Sequence, residues 1–161
     1  MSDLILFVCT GNVCRSPMAA ALFMKQVIDS GDGARYRVAS AGTWAMQNQP
    51  AAEFAQKTLK RRGLSLYDHR GRKLSPELVD EAALIVVMSH DHHDAIAAEF
   101  PSVRPKLHLF SELVGGNYNI ADPYGGTEEE YELCAEELGR ILAIGYPRIA
   151  EWIGAARSSQ Q

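Results

Sequence analysis

With 161 residues, 47% of them apolar and 22% charged, the chain has the size and composition of one ordinary globular domain with a real core. Its formal net charge of −4 argues against a nucleic-acid binder, whose affinity rests on a basic surface, although one arginine and a few backbone N–H groups suffice for a local anion pocket. No run of about 18 apolar residues occurs, so no membrane span is expected, and three cysteines, Cys9, Cys14 and Cys134, are too few and of the wrong parity for a disulfide framework.

The amino end, Met1-Ser2-Asp3, lacks the basic stretch and cleavage site of a signal peptide, so a cytoplasmic location is expected. Leu4 to Val8 reads as a buried strand, and Pro17 to Ile28 as a helix with Met18, Ala21, Leu22, Met24 and Ile28 on one side. Tyr36 to Ser40 is a second strand, and Ala51 to Arg62 a second helix stopped by Gly63. Leu84 to Met88 is a third strand, continuously apolar rather than alternating, and Lys106 to Phe110 a short fourth. Glu128 to Ile144 reads as a long helix that Gly145 and Pro147 should break or kink before a last short helix through Trp152.

Continuous apolar strands interleaved with helices indicate a parallel sheet covered on both faces. The expected fold is α/β: a small doubly wound four-stranded parallel sheet flanked by about five helices, with residues 1–157 as a single domain and 158–161 as a flexible tail. Ligands bind such sheets at the carboxyl ends of the strands. The first such end is Val8-Cys9.

Residues 9–17 read Cys-Thr-Gly-Asn-Val-Cys-Arg-Ser-Pro. The segment joins a strand end to a helix start, where N–H groups and the helix dipole favour an anion. Gly11 permits positive φ and Asn12 is the next best residue there, so Thr10, Gly11, Asn12, Val13 and Cys14 can curl their N–H groups inward as a nest. Ser16 suits the N-cap and Pro17 the first helical position, and Ser16 is also near enough in sequence to donate to the Cys9 sulfur. Arg15 can fork two N–H bonds onto phosphate oxygens. Cys9 would then lie under a bound phosphoryl group, in positive surroundings that favour a thiolate nucleophile.

The segment from residue 5 to 18 resembles the signature loop of the low-molecular-weight protein phosphatases. The likeness extends through Ser40-Ala41-Gly42, His69-Arg70, Met88-Ser89-His90 and Asp122-Pro123-Tyr124. The resemblance implies a four-stranded parallel sheet with flanking helices, Cys9 as nucleophile, Arg15 as phosphate clamp, Ser16 as the aid to the thiolate, and Asn12 held in its special conformation by Ser40 and His69. It implies a phosphorylated protein as substrate, hydrolysed through a cysteinyl-phosphate. No cofactor or metal is expected. The sequence leaves the oligomeric state open, with a monomer as the expectation.

The reaction also needs a proton donor for the leaving group and a base for water. Asp122 fits by its place in Ile120-Ala121-Asp122-Pro123-Tyr124-Gly125-Gly126-Thr127, before the last helix and at the family's Asp-Pro pair. A turn Asp before Pro is the competing reading. Trp44 and Tyr124 are candidate walls of the substrate pocket; partial burial against the core is the alternative for each.

The string Ser89-His90-Asp91-His92-His93-Asp94 invites a metal reading, but its spacing is not that of a helical His pair, and an N-cap at Ser89 or Asp91 explains it. Cys14 is either a small loop residue or a resolving thiol that captures an oxidised Cys9; the resemblance favours the second. Arsenate reductases share the fold and loop, but the stretch from Glu81 to His90 holds no relay cysteine. A phosphocysteine carrier would not need both Arg15 and Asp122, and an inactive phosphatase used as a binding module usually lacks Cys, Arg or Asp.

The resembled family has a tyrosine-directed and an arginine-directed branch. The Asp122 to Thr127 run with Tyr131, and Met88-Ser89-His90, look like the arginine branch. At position 13, however, that branch typically carries Thr and the tyrosine branch Ile, and this chain has Val13. An apolar side chain suits an aromatic ring and leaves a phosphoguanidinium without a polar partner. The expectation is therefore a phosphotyrosine phosphatase, with phosphoarginine as the alternative.

Overall fold

The computed structural model describes residues 2–160; Met1 and Gln161, which end the expected domain and tail, lie outside it. Among the described residues four strands form one parallel sheet in the order β2-β1-β3-β4: β1 Asp3–Cys9, β2 Tyr36–Gly42, β3 Leu84–Val87 and β4 Leu107–Leu109. Five α-helices accompany them: α1 Arg15–Asp29, α2 Glu53–Arg61, α3 Pro76–Glu81, α4 His90–Glu99 and α5 Glu128–Ser158. Short 3-10 segments, Pro101–Lys106 and Phe110–Val114, bracket β4. This is the α/β architecture expected from the sequence.

The alternation of β1 explains why its sequence is apolar throughout. Successive side chains point to opposite faces. Ile5, Phe7 and Cys9 enter a core built with Met18, Phe23, Leu138, Ile141 and Ile149, whereas Leu4, Leu6 and Val8 enter a second core with Val79, Ile96 and Leu107. Phe7 meets Phe23 edge-on at 5.5 Å between ring centres. Cys9 is thus the last residue of the stripe that faces α1 and α5.

Two local expectations require correction. The last helix does not break: α5 runs from Glu128 through Pro147 to Ser158. Its buried stripe of Leu138, Leu142, Gly145, Ile149, Ile153 and Ala156 continues across the proline without a change of face. Pro147 lies on the exposed side, and the carbonyl it leaves unpaired belongs to exposed Ala143, where water can reach it. Gly145 is needed for a close approach, since a Cβ there would lie 2.5 Å from the Leu113 carbonyl oxygen. The helix also carries on past the expected domain end at residue 157, where Arg157 pairs with Asp3.

The second correction is at the start of α1. Helical geometry begins at Arg15, Cys14 occupies the N-cap position without a side-chain cap, and Ser16 is not the cap. The Ser16 hydroxyl faces inward, toward Cys9, Asn12 and the Ala41 carbonyl. The short helix α3, capped by Ser75, carries too little periodic sequence to be read in advance. About five helices were expected and five are found, because α3 replaces the fragment that a break at Pro147 would have made.

Candidate active site

The chain reverses direction across the sheet at β1, with β2 on one side and β3 on the other. The crevice outside the carboxyl ends of these strands is the switch point of a doubly wound sheet. Three loops meet there. The loop after β2 is tied to the end of β1 by Thr43 N–H to Cys9 carbonyl (2.9 Å) and Trp44 N–H to Thr10 carbonyl (3.0 Å). The loop before α5 is tied to the end of β3 by Ile120 N–H to Met88 carbonyl (2.8 Å).

Between them, residues 9–15 form a loop held by its own side chains. Asn12 is fully buried, with φ of 58°, in the left-handed region that asparagine tolerates better than most residues. Gly11, the other residue expected there, does not use positive φ. The conformation of Asn12 is held on every side: its amide donates to Ser16 Oγ (2.8 Å) and Ser40 Oγ (2.9 Å), its Oδ1 accepts the Arg72 N–H (3.0 Å), and its carbonyl lies 2.7 Å from His69 Nε2. A carbonyl can only accept, so His69 carries its proton on Nε2. Burial holds the His69 imidazole below its ordinary pKa, with the Asn12 carbonyl opposing.

Cys9 Sγ lies 2.9 Å from Ser16 Oγ. Ser16 accepts from the Asn12 amide, and its other acceptor candidate, the Ala41 carbonyl, is 3.5 Å away. The hydroxyl proton therefore goes to the nearer sulfur. A donor aimed at sulfur is what a thiolate nucleophile requires. Because no side chain caps α1, its first N–H groups stay available to an anion at the same place.

Arg15 is buried and reaches across to the third loop, donating to the Ile120 carbonyl at 3.0 Å and pairing with Asp122 at 3.4 Å. Its Nε has no partner among the described residues, so the guanidinium retains donor capacity inside the site. Asp122 combines its two sequence readings: Oδ1 accepts the Tyr124 N–H (3.1 Å) as a turn aspartate, and Oδ2 faces Arg15. Trp44 and Tyr124 are 82% and 66% exposed, so neither is a core residue.

Cys14 is buried, with its sulfur 3.3 Å from the Tyr131 hydroxyl. Burial pushes its thiol up to about 11, with the Tyr131 hydrogen bond opposing. Cys134, in α5, is pushed up to about 12 by burial. The histidine cluster disperses: Ser89 caps α4, His90 turns to Asn117 and Asn119, His93 to Asp94, and His92 to Ser89 and Thr10.

Sequence reasoning missed several residues of the site. His92 contacts Thr10 at 2.8 Å, Arg72 serves Asn12 through its backbone, and the Ile120 carbonyl holds Arg15. It also missed why β2 ends in glycine: a Cβ at Gly42 would lie 2.4 Å from the Thr10 carbonyl oxygen and 3.1 Å from the Asn12 nitrogen. Only the tight sequence Ser40-Ala41-Gly42 signalled a close approach.

A small α/β domain with a serine-bonded cysteine at a strand end, an uncapped helix start, a buried arginine and a facing aspartate has the parts that phosphate-ester chemistry uses. The family described as low molecular weight phosphotyrosine protein phosphatase matches residues 4–143. A protein-arginine-phosphatase of Bacillus subtilis (strain 168) is 38% identical over 139 residues, covering 86% of this chain and 91% of its own. Among solved structures, the low molecular weight protein tyrosine phosphatase of T. tengcongensis superposes with a TM-score of 0.86 at 34% identity, covering 91% of this chain and 99% of its own. A YwlE arginine phosphatase, in a cysteine-to-serine mutant with a phosphorylated active-site serine, also has a TM-score of 0.86 at 34% identity, covering 91% of this chain and 95% of its own. The chain belongs to the low molecular weight phosphotyrosine protein phosphatase family.

Proposed function

We propose that the chain hydrolyses phosphorylated protein side chains by double displacement at Cys9. The Cys9 thiolate attacks phosphorus while the bond to the leaving group breaks, and Asp122 gives that group its proton. Arg15 and the N–H groups of residues 10–15 hold the phosphoryl oxygens throughout. The Asp122 carboxylate then takes a proton from water, the water oxygen attacks phosphorus, and the P–S bond breaks to release inorganic phosphate and the thiolate. The observation that carries this reading is the hydrogen-bonded set Asn12–Ser16–Cys9, with Arg15 bridging from the same loop to Asp122. Turnover of para-nitrophenyl phosphate at mildly acidic to neutral pH, lost in Cys9→Ser, is the test; a folded wild type without turnover refutes it.

Phosphotyrosine is the preferred substrate in this reading. Val13 is a half-buried apolar residue of the phosphate loop, and exposed Trp44 and Tyr124 offer aromatic walls. One observation favours phosphoarginine instead: the Bacillus relative at 38% identity is an arginine phosphatase. Comparing phosphotyrosine and phosphoarginine peptides on wild type and Val13→Thr decides between them. The expected result is a tyrosine preference that moves toward arginine in the variant; a strong arginine preference in wild type reverses the assignment.

The same loop supports redox control in a reducing cytoplasm. Peroxide converts the Cys9 thiolate to a sulfenic acid, Cys14 attacks that sulfur, and water leaves as the disulfide forms. Reductant should restore peroxide-treated wild type better than Cys14→Ser. Equal recovery in both refutes the role of Cys14.

A further inference from the structure

Thr10 directly follows Cys9 and is exposed, and its Oγ1 lies 2.8 Å from Nε2 of His92. His92 is only 5% exposed. Its Nδ1 lies 2.9 Å from Ser89 Oγ, which also accepts the His92 backbone N–H as the cap of α4. Burial, helped by the Arg15 charge and opposed by Asp91 and Asp122, pushes the imidazole down to about 4, so the ring is neutral near neutral pH and carries one N–H.

Two arrangements of that proton are open. With the proton on Nδ1, half-buried Ser89 accepts twice and its own hydroxyl proton goes unused, while the Thr10 proton is taken by Nε2. With the proton on Nε2, Ser89 donates to Nδ1 and Nε2–H donates to Thr10 Oγ1. The second arrangement uses every polar hydrogen of the chain Ser89–His92–Thr10 except one, the Thr10 hydroxyl proton. It leaves the unused donor on the exposed residue beside the nucleophile instead of on a half-buried one, where an unpaired donor is costly.

We propose that the Thr10 hydroxyl donates a hydrogen bond to the phosphoryl group bound at Cys9, and that His92, set by Ser89, is the residue that positions it. The proposal rests on the phosphatase reading above. His92 touches no reacting atom and acts only by fixing the rotamer and proton direction of Thr10. The same contact ties α4 to the loop after β1, which the Thr10 carbonyl in turn ties to the exposed Trp44 through its N–H.

The test uses Thr10→Val, Thr10→Ser, His92→Leu, His92→Gln and the double variant Thr10→Val/His92→Leu. It reads kcat/KM on para-nitrophenyl phosphate and inhibition by inorganic phosphate, with thermal melts to establish folding. Loss of a hydrogen bond to a charged group predicts that Thr10→Val weakens both readouts by about tenfold to a hundredfold. Thr10→Ser, which keeps the hydroxyl, should recover most of what Thr10→Val loses on both readouts. His92→Leu should match Thr10→Val, His92→Gln should recover part of the loss, and the double variant should lose no more than Thr10→Val alone. A purely structural bond between α4 and the loop lowers the melting temperature without moving phosphate inhibition. Thr10→Val within twofold of wild type on both readouts overturns the proposal, and a double variant that loses the product of the single losses overturns the positioning role of His92. If His92→Leu does not fold, the Thr10 pair still decides the donor claim and His92→Gln the positioning claim. Absence of turnover in wild type overturns the phosphatase reading itself.

Discussion

Asn12, at the centre of the loop after β1, has no exposed surface and is bonded to Ser16, Ser40, His69 and Arg72, whereas Asp122, across the crevice, has a side chain 47% exposed and, among the described residues, Arg15 as its one charged partner. One half of the site is fixed before any ligand arrives. The other is a turn on the surface, flanked by exposed Tyr124 and by Gly125 at φ of 79°. Such a division suits a reaction in which the anion-binding half must not rearrange, since preorganised donors are what stabilise a charged transition state. On the proposed mechanism Asp122 must meet leaving groups of different shapes and then admit water.

Substitutions on the two sides should therefore fail differently. The largest effect is expected at Cys9: Cys9→Ser should lower kcat by at least about 10³-fold with little change in melting temperature, because the nucleophile is removed and the buried volume kept. A residual rate well above that would place the nucleophile elsewhere. Asp122→Asn should lower kcat by about 10²- to 10⁴-fold while leaving inhibition by inorganic phosphate close to wild type. The deficit should shrink for substrates with better leaving groups, and an equal loss on all of them contradicts a general acid.

Asn12→Ala should instead cost stability and binding together. It leaves buried Ser16, Ser40 and the Arg72 N–H short of partners and puts alanine at positive φ, a loss of about 2–4 kcal/mol in denaturant unfolding. A variant as stable as wild type would mean that the loop is not held by this network. A smaller effect is expected from acid. His92, pushed down to about 4, and His69 and His108, also below their ordinary value through burial, resist protons that the unfolded chain accepts near 6.5. Stability should rise with pH between about 4 and 6.5 and fall on acidification through that window, with a shallower slope in His92→Gln. A slope unchanged by that substitution would show that His92 titrates normally in the folded protein. The smallest effect is expected at Tyr124, where alanine should raise KM only a few-fold, on the order of 1 kcal/mol, with kcat kept.

Much of this was legible in the sequence because parallel strands buried on both faces are written as continuous apolar runs, and because the residues from Cys9 to Pro17 form one contiguous string. The place of Asp122 before the last helix, at the family's Asp-Pro pair, singled it out in the sequence, and the structure sets its carboxylate opposite Arg15. What escaped depends on contacts between distant segments. His92 looked like part of a local cluster, and only the packing of α4 against β3 and β4 brings its ring to Thr10. Arg72 acts on Asn12 through its backbone N–H, which no side-chain identity reveals. Pro147 looked like a breaker because local propensity was weighed without the buried stripe from Leu138 to Ala156 that carries α5 past it. Ser16 fitted two readings in the sequence, cap of α1 and donor to the Cys9 sulfur, and only the three-dimensional contacts to Cys9 and to the Asn12 amide show that its hydroxyl does not serve the cap.

The central claim is that phosphate leaves the substrate by way of the Cys9 sulfur. The direct measurement is rapid acid quench of an Asp122→Ala variant during turnover of para-nitrophenyl phosphate, followed by peptide mass analysis. The expected result is one phosphoryl group on the peptide carrying Cys9, formed in a burst with release of nitrophenol and absent in Cys9→Ser. Continued turnover without any phosphorylated Cys9, or with the label on Cys14 instead, would contradict the account.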